Sequence, residues 1–286
     1  MADVRFCVGF SKACKQAREG GGLPGYEGRV SRRRALRPFL PPDIVRLIDA
    51  LVRRLEHEDT LLSMNGGVLG ATLCQASAAG GLRDVRFLLA RGTDVEHMTA
   101  FVKEDGTEGL WTALDWSAHA GMLPVVTALL DAGAGELELA LYNAALNGRT
   151  PVVALLLDRG ADIHYDADGC VIVASQNGRL ATATLLLDRG ANLHAQDDLS
   201  LRKAAEHGHV EVVRLLLDRG ANIHADHDYS LRIAAEDGRL ETVRLLLDRG
   251  ADIHALNEYA LRKARLNGHA AIVAVLLERG ALEPHA

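Results

Sequence analysis

Apolar residues in the second half of the chain follow a short pattern that recurs from unit to unit, most clearly in residues 201–225 (LRKAAEHGHVEVVRLLLDRGANIHA). The start of this unit predicts a helix of about two turns, ending at Gly208 because glycine accepts the left-handed backbone of a helix cap. Its apolar face comprises Leu201, Ala204 and Ala205. From Val210, apolar residues three or four apart predict a longer second helix that ends at Gly220.

This unit returns at a fixed interval. The glycine that closes the second helix recurs at every thirtieth residue, as Gly160, Gly190, Gly220, Gly250 and Gly280. Two earlier units end at Gly92 and Gly133, so seven units are countable. A fixed period of about 20–50 residues indicates a solenoid, in which units stack because none can bury its apolar face alone.

The unit resembles the ankyrin repeat. Thr112-Ala113-Leu114-Asp115 stands where that family has a Thr-Pro-Leu-His turn, Gly208-His209 matches its Gly-His pair, and residues 220–225 match its Gly-Ala-Asp-Val-Asn-Ala signature. The resemblance implies an all-α ankyrin solenoid of about seven helix–turn–helix repeats over residues 65–286. A period of 30 is shorter than the family's usual value of about 33, which trims the hairpin finger between units. This short variety is similar to ankyrin arrays of giant DNA viruses.

Two segments precede the repeats. Residues 1–38 are predicted to be a basic, glycine-containing flexible arm, and residues 39–64 a capping helix that shields the first repeat. Residues 40–56 also resemble the opening of an F-box, the adaptor that docks substrate receptors onto a ubiquitin ligase, so a ubiquitin-ligase adaptor is an alternative partner. Within the repeats, the first two marker glycines lie further apart than the period, which predicts an insertion loop at 98–110.

Charge is distributed unevenly along the chain. The net charge is −6, but residues 1–41 hold nine Lys and Arg against three Asp and Glu, giving +6 there and −12 in the remainder. Arg29–Arg37 is therefore either a nuclear-import or nucleic-acid patch, or a solvated arm. No apolar run reaches the roughly 18 residues of a membrane span, and no signal-peptide core is present. The four cysteines form no CxxC pair, which favours an intracellular location, cytoplasmic or nuclear, in a host cell if the chain is viral.

A histidine recurs in register in four repeats, as His164, His194, His224 and His254. Stacked helices lie about 8–10 Å apart, whereas imidazole nitrogens sit about 2.0–2.1 Å from a shared zinc ion. We therefore predict no metal and no cofactor. The resemblance implies that these histidines form hydrogen bonds within the fingers, as the family's asparagine does.

A second series consists of arginines, each with an acidic residue four positions earlier: Arg202 with Asp198, Arg232 with Asp228, and Arg262 with Glu258. Pairing within each repeat would relieve the repulsion between stacked arginines, although such exposed pairs contribute only about 0.2–1 kcal/mol. The alternative is a site for an acidic ligand or phosphate. No phosphate-loop, HExxH, GxSxG or EF-hand motif occurs, so we predict no enzyme, with a Cys74–His119 contact left open.

The resemblance implies a protein-binding scaffold that contacts its partner through the first helices and fingers. The family's variable contact positions fall at Trp111, His119, Ala120, Leu146, Asn147, Gln176, Asn177, Asp198, Glu206, His207, Asp228, Glu236, Asp237, Glu258, Leu266 and Asn267. This set leans acidic and favours a basic or polar protein partner over nucleic acid, whose phosphates it would repel. Trp111 is expected to be a binding hot spot, unless it folds against Phe101 and tethers the insertion.

Overall fold

The computed structural model describes residues 69–102 and 108–282, together with residues 50, 53, 54, 57, 58 and 60–62. By their contacts, residues 61–286 form one unit and residues 1–60 another. Fourteen helices and two strands follow one another over residues 69–282: α1 (Leu69–Ala78), α2 (Leu82–Leu89), β1 (Thr99–Val102), β2 (Glu108–Trp111), α3 (Ala113–Ala120), α4 (Leu123–Asp131), α5 (Leu137–Leu146), α6 (Thr150–Asp158), α7 (Tyr165–Gln176), α8 (Leu180–Asp188), α9 (Ala195–His207), α10 (Val210–Asp218), α11 (Ala225–Glu236), α12 (Leu240–Asp248), α13 (Ala255–Leu266) and α14 (Ala270–Glu278).

The helices form seven consecutive pairs, so the predicted all-α repeat solenoid is confirmed. First helices pack against neighbouring first helices, and second helices against second helices. Each pair contributes leucines to one of two successive hydrophobic clusters, the first over residues 73–191 and the second over residues 201–281. Ala204 and Ala205 are fully buried between adjacent first helices. Small side chains at these positions let the helices approach closely, which explains the recurring alanine pair. Among the described residues, no helix has the length and apolar character needed to cross a membrane.

Glycine ends the first helices for two physical reasons. Gly208 has a φ of 75° and Gly238 a φ of 76°, as the sequence predicts. A β-carbon at Gly208 would also lie 2.8 Å from Cδ of Arg239 in the next repeat. That arginine donates from Nε to the carbonyl oxygen of Glu206 at 3.0 Å, which ties the end of one first helix to the following repeat.

The insertion of the second repeat is a β-hairpin, so the prediction of a loop at 98–110 is wrong. Strands β1 and β2 pair antiparallel, with Thr99 opposite Trp111. The polar, glycine-containing residues that suggested a loop include residues 103–107, which lie outside the described residues. The flanking residues, including Thr99–Val102, have the β-branched and aromatic side chains that favour strands. We call residues 99–111 the hairpin finger.

The last four repeats have a much shorter finger, built from three consecutive left-handed residues. In the sixth repeat Asp226, His227 and Asp228 have φ angles of 49°, 54° and 55°. We call the equivalent triplets, which lie in α7, α9, α11 and α13, the turn fingers: residues 166–168, 196–198, 226–228 and 256–258. The left-handed conformation costs ordinary residues about 1–2 kcal/mol each, and Asp and Asn tolerate it better because their side chains bond locally. Specific contacts must therefore hold these fingers in place.

Candidate recognition surface

The ends of the first helices present side chains to solvent in every repeat from the second to the seventh. All twelve predicted contact residues at these ends are at least partly exposed: His119, Ala120, Leu146, Asn147, Gln176, Asn177, Glu206, His207, Glu236, Asp237, Leu266 and Asn267. The accessibility that partner binding requires is present at these twelve positions, and their role in binding stays a prediction.

Three of the predicted finger contacts are placed differently from the expectation. Asp198, Asp228 and Glu258 are 4%, 4% and 6% exposed, so the expectation that they lie on the finger surface is wrong. Asp228 Oδ1 accepts a hydrogen bond from the backbone N–H of Asp252 in the next repeat at 2.7 Å. The left-handed turn directs this third residue inward and leaves the two residues before it exposed, such as Asp226 and His227.

The histidines of the register series partner these buried carboxylates. His224 Nδ1 lies 3.0 Å from Asp228 Oδ1, and the His224 backbone N–H donates to Asn222 Oδ1 at 3.0 Å. The same arrangement recurs in the fourth, fifth and seventh repeats. The hydrogen bonding within the fingers that the resemblance implies is therefore present. The described residues contain no group of three or more potential metal ligands, and the absence of metal binding stays a prediction.

The arginine series does not pair with the acids four positions earlier, so that prediction is wrong. A spacing of four brings side chains together only on a regular helix, and the residues that carry the acids are left-handed. Arg232 instead donates to the carbonyl oxygens of His227 and Asp226, at 2.9 and 2.7 Å. Arg262 makes the equivalent bonds in the seventh repeat, and Arg202 pairs with Asp226 Oδ2 of the next repeat at 3.2 Å.

Tyrosine rings lie between these arginines, a feature that the sequence reasoning missed. Tyr229 lies between Arg202 and Arg232, whose guanidinium carbons are 4.6 and 5.3 Å from its ring centroid. Tyr259 lies between Arg232 and Arg262, at 5.2 and 5.8 Å. We call these five residues the Arg–Tyr ladder. The signal available in the sequence was a tyrosine repeated after one period, three residues before Arg232 and again before Arg262.

Two lysines next to the ladder neutralise predicted acidic contacts. Lys203 Nζ lies 2.7 Å from Glu206 Oε2, and Lys263 Nζ lies 2.8 Å from Glu236 Oε1. Glu236 also accepts a hydrogen bond from the Tyr259 hydroxyl at 2.8 Å. The hydrogen bond from Lys263, followed by that from Tyr259, lowers the pKa of Glu236. Glu206 and Glu236 are therefore each already paired with a lysine.

Aromatic side chains gather at the other end of the surface. The rings of Trp111 and Trp116 meet edge to face with centroids 4.6 Å apart, and the Trp111 ring lies 5.0 Å from that of His119. Trp116 Nε1 donates to Thr99 Oγ1 in β1 at 3.1 Å. Trp111 is thus half-buried against its own first helix. Its role as a hot spot stays a prediction, and the Phe101 side chain of the alternative lies outside the description.

Cys74 and His119, whose contact the sequence left open, each bond to another partner. Cys74 Sγ donates to the His97 carbonyl oxygen at 3.3 Å, whereas His119 Nδ1 lies 2.8 Å from Asn147 Nδ2. Burial raises the pKa of Cys74 to about 11, so this cysteine is a protonated thiol at neutral pH. The pair consequently provides no activated nucleophile.

The Thr112-to-Asp115 motif forms a capping box at the start of α3. Asp115 Oδ2 accepts hydrogen bonds from the backbone N–H and the hydroxyl of Thr112, both at 2.9 Å. Burial raises the pKa of Asp115 to about 6, and the hydrogen bonds from Thr112 oppose that shift. This carboxyl orders the junction between the hairpin finger and the helix, where it serves structure rather than recognition.

Predictions for the N-terminal segments fall largely or wholly outside the described residues. These are the arm at 1–38, the basic stretch Arg29–Arg37, the capping helix at 39–64 and the F-box-like segment at 40–56.

Comparison with known proteins adds family and structural evidence. The family model described as ankyrin repeats (3 copies) matches overlapping segments at residues 73–167, 114–197, 141–227, 171–257 and 201–285. The crystal structure of the human ASB11 ankyrin repeat domain matches the fold with a TM-score of 0.60 and 26% sequence identity, over 75% of this chain and 99% of that chain. No curated protein sequence gives a significant match.

Proposed function

Because the chain belongs to the ankyrin-repeat family, whose repeats are in general protein–protein interaction modules, we propose that it is a non-catalytic scaffold. The surface formed by its first-helix ends and fingers binds a partner protein. The F-box-like segment and Arg29–Arg37 remain proposals from the sequence for a ubiquitin-ligase adaptor and for nucleic acid, respectively.

One observation carries this proposal, namely the contrast between core and surface within the chain's own repeats. The leucine seven positions before the first capping glycine is retained in most repeats, as Leu114, Leu141, Leu201, Leu231 and Leu261. Two positions before the same glycine, the residue is accessible and four residue types occur in six repeats: His119, Leu146, Gln176, Glu206, Glu236 and Leu266. Packing constrains the first position, whereas the second is free to suit a partner.

Site-specific photo-crosslinking tests the proposal. A benzophenone side chain placed at Gln176, on the proposed surface, is expected to capture a protein from extracts of cells that naturally contain the chain. The matched control is Ala181, which is exposed on the second helix of the same repeat. Capture from Ala181 but not from Gln176 would show that recognition uses the opposite face and would overturn the proposal.

A further inference from the structure

We propose that the open edge of β1 in the hairpin finger pairs with an extended segment of the partner protein in which apolar and basic residues alternate. This inference rests on the proposed function and assigns one strand of the recognition surface to one kind of partner chain. It follows from three properties of the hairpin finger: an edge without a partner strand, an exposed apolar face and negatively charged surroundings.

The hairpin finger leaves a strand edge open. Its sheet consists of β1 and β2, and no third strand among the described residues pairs with the outer side of either. The connection in the third repeat is too short to supply a strand, because only residues 132–136 separate α4 from α5. β1 reads Thr-Ala-Phe-Val, without the charged residue or proline that commonly blocks edge pairing, whereas β2 contains Glu108 and Gly109. The outer backbone groups of β1 are therefore suited to a further extended chain.

One face of the hairpin finger is apolar and exposed. Ala100 is exposed and lies opposite Leu110 in the register, and side chains alternate between the two faces of a strand. Leu110 is 58% exposed, and Met98, which precedes β1, is 43% exposed. The other face carries Thr99 and Trp111, which pack on α3. A third strand beside β1 would place every second side chain next to Ala100 and cover apolar surface that is now in water.

Negative charge surrounds the hairpin finger. Residues 92–148 contain nine Asp and Glu against one Lys, giving −8, whereas the whole chain carries −6. The described parts of this stretch, residues 92–102 and 108–148, contain seven acidic residues and no Lys or Arg. Arg91, Arg149 and Arg159 flank the stretch, and Arg159 is paired with Asp131. Even with all three arginines counted, the charge is −5.

Three of these carboxylates lie at the base of the hairpin finger. Glu96, three residues before β1, accepts a hydrogen bond from the backbone N–H of Gly135 at 2.7 Å, which brings it beside the loop that carries Glu136. Burial raises the pKa of Asp115 to about 6 despite the hydrogen bonds from Thr112. The negative charges of Glu136 and Glu96 reinforce this shift, so the three carboxyl groups share one region of negative potential.

This charge selects among the possible occupants of the edge. A second copy of the chain would bring the same negative stretch against itself, and nucleic acid would bring phosphates, so both would be repelled. A partner strand with Lys or Arg at alternate positions is attracted instead. Its apolar residues would extend the exposed face of the hairpin, and its basic residues would point towards the side of α3 and the carboxylates there. The four residues of β1 accommodate about four to six residues of partner chain.

Panning a random peptide library, displayed on phage, against the full chain provides the test. We expect the enriched peptides to alternate apolar residues with Lys or Arg. Resynthesised peptides should bind more weakly as salt rises from about 0.05 to 0.5 M, because screening shortens the reach of exposed charges.

Pairing with a strand edge is tested by methylating the backbone nitrogens of a selected peptide one at a time. In an antiparallel pair, every second residue directs its backbone groups to a given neighbour. Methyl groups at alternate residues should therefore weaken binding at least about tenfold, and methyl groups at the residues between them should change it little.

A pair of substitutions at one exposed position locates the peptide on β1. Ala100→Lys places a positive charge on the strand and should weaken peptide binding at least about tenfold, because it repels the basic residues. Ala100→Glu is the matched control, which should retain or improve the affinity. Melting temperatures of both variants establish that they are folded.

Two double variants with equal charge change test the acidic surroundings. Glu136→Gln with Glu138→Gln removes two negative charges near the hairpin finger and should weaken peptide binding about threefold and flatten its salt dependence. Glu211→Gln with Glu241→Gln removes the same charge from exposed positions on α10 and α12 and should leave the affinity unchanged.

The outcomes distinguish this inference from the proposed function. Peptides that lack basic residues, that bind wherever the methyl group is placed, or that tolerate Ala100→Lys would overturn the inference. Capture of a protein from Gln176 together with a failure to enrich alternating peptides would overturn the inference alone, and failure of both experiments would count against the proposed surface as well. A dimer of the chain that light scattering detects and the peptide dissociates would assign the edge to a second copy and overturn the inference.

Discussion

The hairpin finger of the second repeat and the turn fingers of the last four repeats make the same connection in different ways. In the hairpin finger, β1 and β2 satisfy each other's backbone groups, and Trp111 packs on the helix that follows. In a turn finger, three strained residues are held by side chains instead. Asp228 bridges His224, two residues before the finger, and the backbone of the next repeat. Arg232 donates hydrogen bonds to two carbonyl oxygens of the turn.

This difference shows where each kind of finger is vulnerable and what it exposes. A hairpin is held by backbone hydrogen bonds between its strands and tolerates many side chains, whereas a turn finger is held by the acidic residue at its third position. The hairpin finger presents aromatic surface, and the turn fingers present two short residues and the Arg–Tyr ladder. The two ends of the proposed recognition surface therefore differ in the side chains that they present.

Removing the buried carboxylate of a turn finger should lower the stability of the fold more than any other substitution considered below. Asp228→Ala leaves the Asp252 N–H without its acceptor and the turn without its anchor, so we expect the free energy of unfolding to fall by about 3 kcal/mol. Guanidinium denaturation followed by circular dichroism measures the loss. The matched control is Asp197→Ala at an exposed turn position, where the fourth repeat already has Ala167. Equal losses in both variants would mean that the bridge contributes no stability.

The features of the fold that follow from a regular repeat could be predicted from the sequence. The helix pairs, the left-handed glycines and the accessibility of residues such as Gln176 follow from apolar spacing and cap chemistry. The sequence did not predict the burial of Asp198, because a triplet of left-handed residues is not indicated by any propensity. The Arg202–Asp198 pairing failed for the same reason, since a spacing of four assumes a helix. The hairpin was missed because Asp105-Gly106 indicated a loop more strongly than four residues of Thr99–Val102 indicated a strand.

The glycine that ends the first helix should matter equally in both kinds of repeat. Gly121, after the hairpin finger, has a φ of 82° with Arg149 Cδ 2.6 Å from a built β-carbon, and Gly208 has nearly the same surroundings. We expect Gly121→Val and Gly208→Val each to lower stability by about 2 kcal/mol, as strained backbones do. Thermal melts of the two variants check this. Clearly unequal losses would show that the repeats differ in more than their fingers.

Trp111→Ala should have a smaller effect, confined to the hairpin finger. Loss of the edge-to-face contact with Trp116 is expected to cost about 1 kcal/mol. Leu110→Ala, at the neighbouring and 58% exposed position, serves as the control and should be close to neutral. If Trp111→Ala weakens partner binding about tenfold at unchanged stability, Trp111 acts as the hot spot that the sequence predicted. A large drop in melting temperature with unchanged partner affinity would assign it to packing alone.

The smallest expected effect is a pH dependence that belongs to a turn finger. The hydrogen bond that the His254 imidazole donates to the Glu258 carboxylate raises the pKa of His254 above its ordinary value of 6.5. The folded state thus favours the protonated imidazole, and its stabilising contribution is complete below pH 6.5 and is lost as pH rises through the folded pKa. The hairpin finger contains no histidine and should contribute nothing of this kind. An NMR titration of the His254 ring protons in the wild type and in Glu258→Gln measures the shift, which the substitution should reduce. An identical pKa for His254 in both proteins would show that the imidazole and the carboxylate are not coupled in solution. The turn finger would then be held by contacts other than the one between His254 and Glu258.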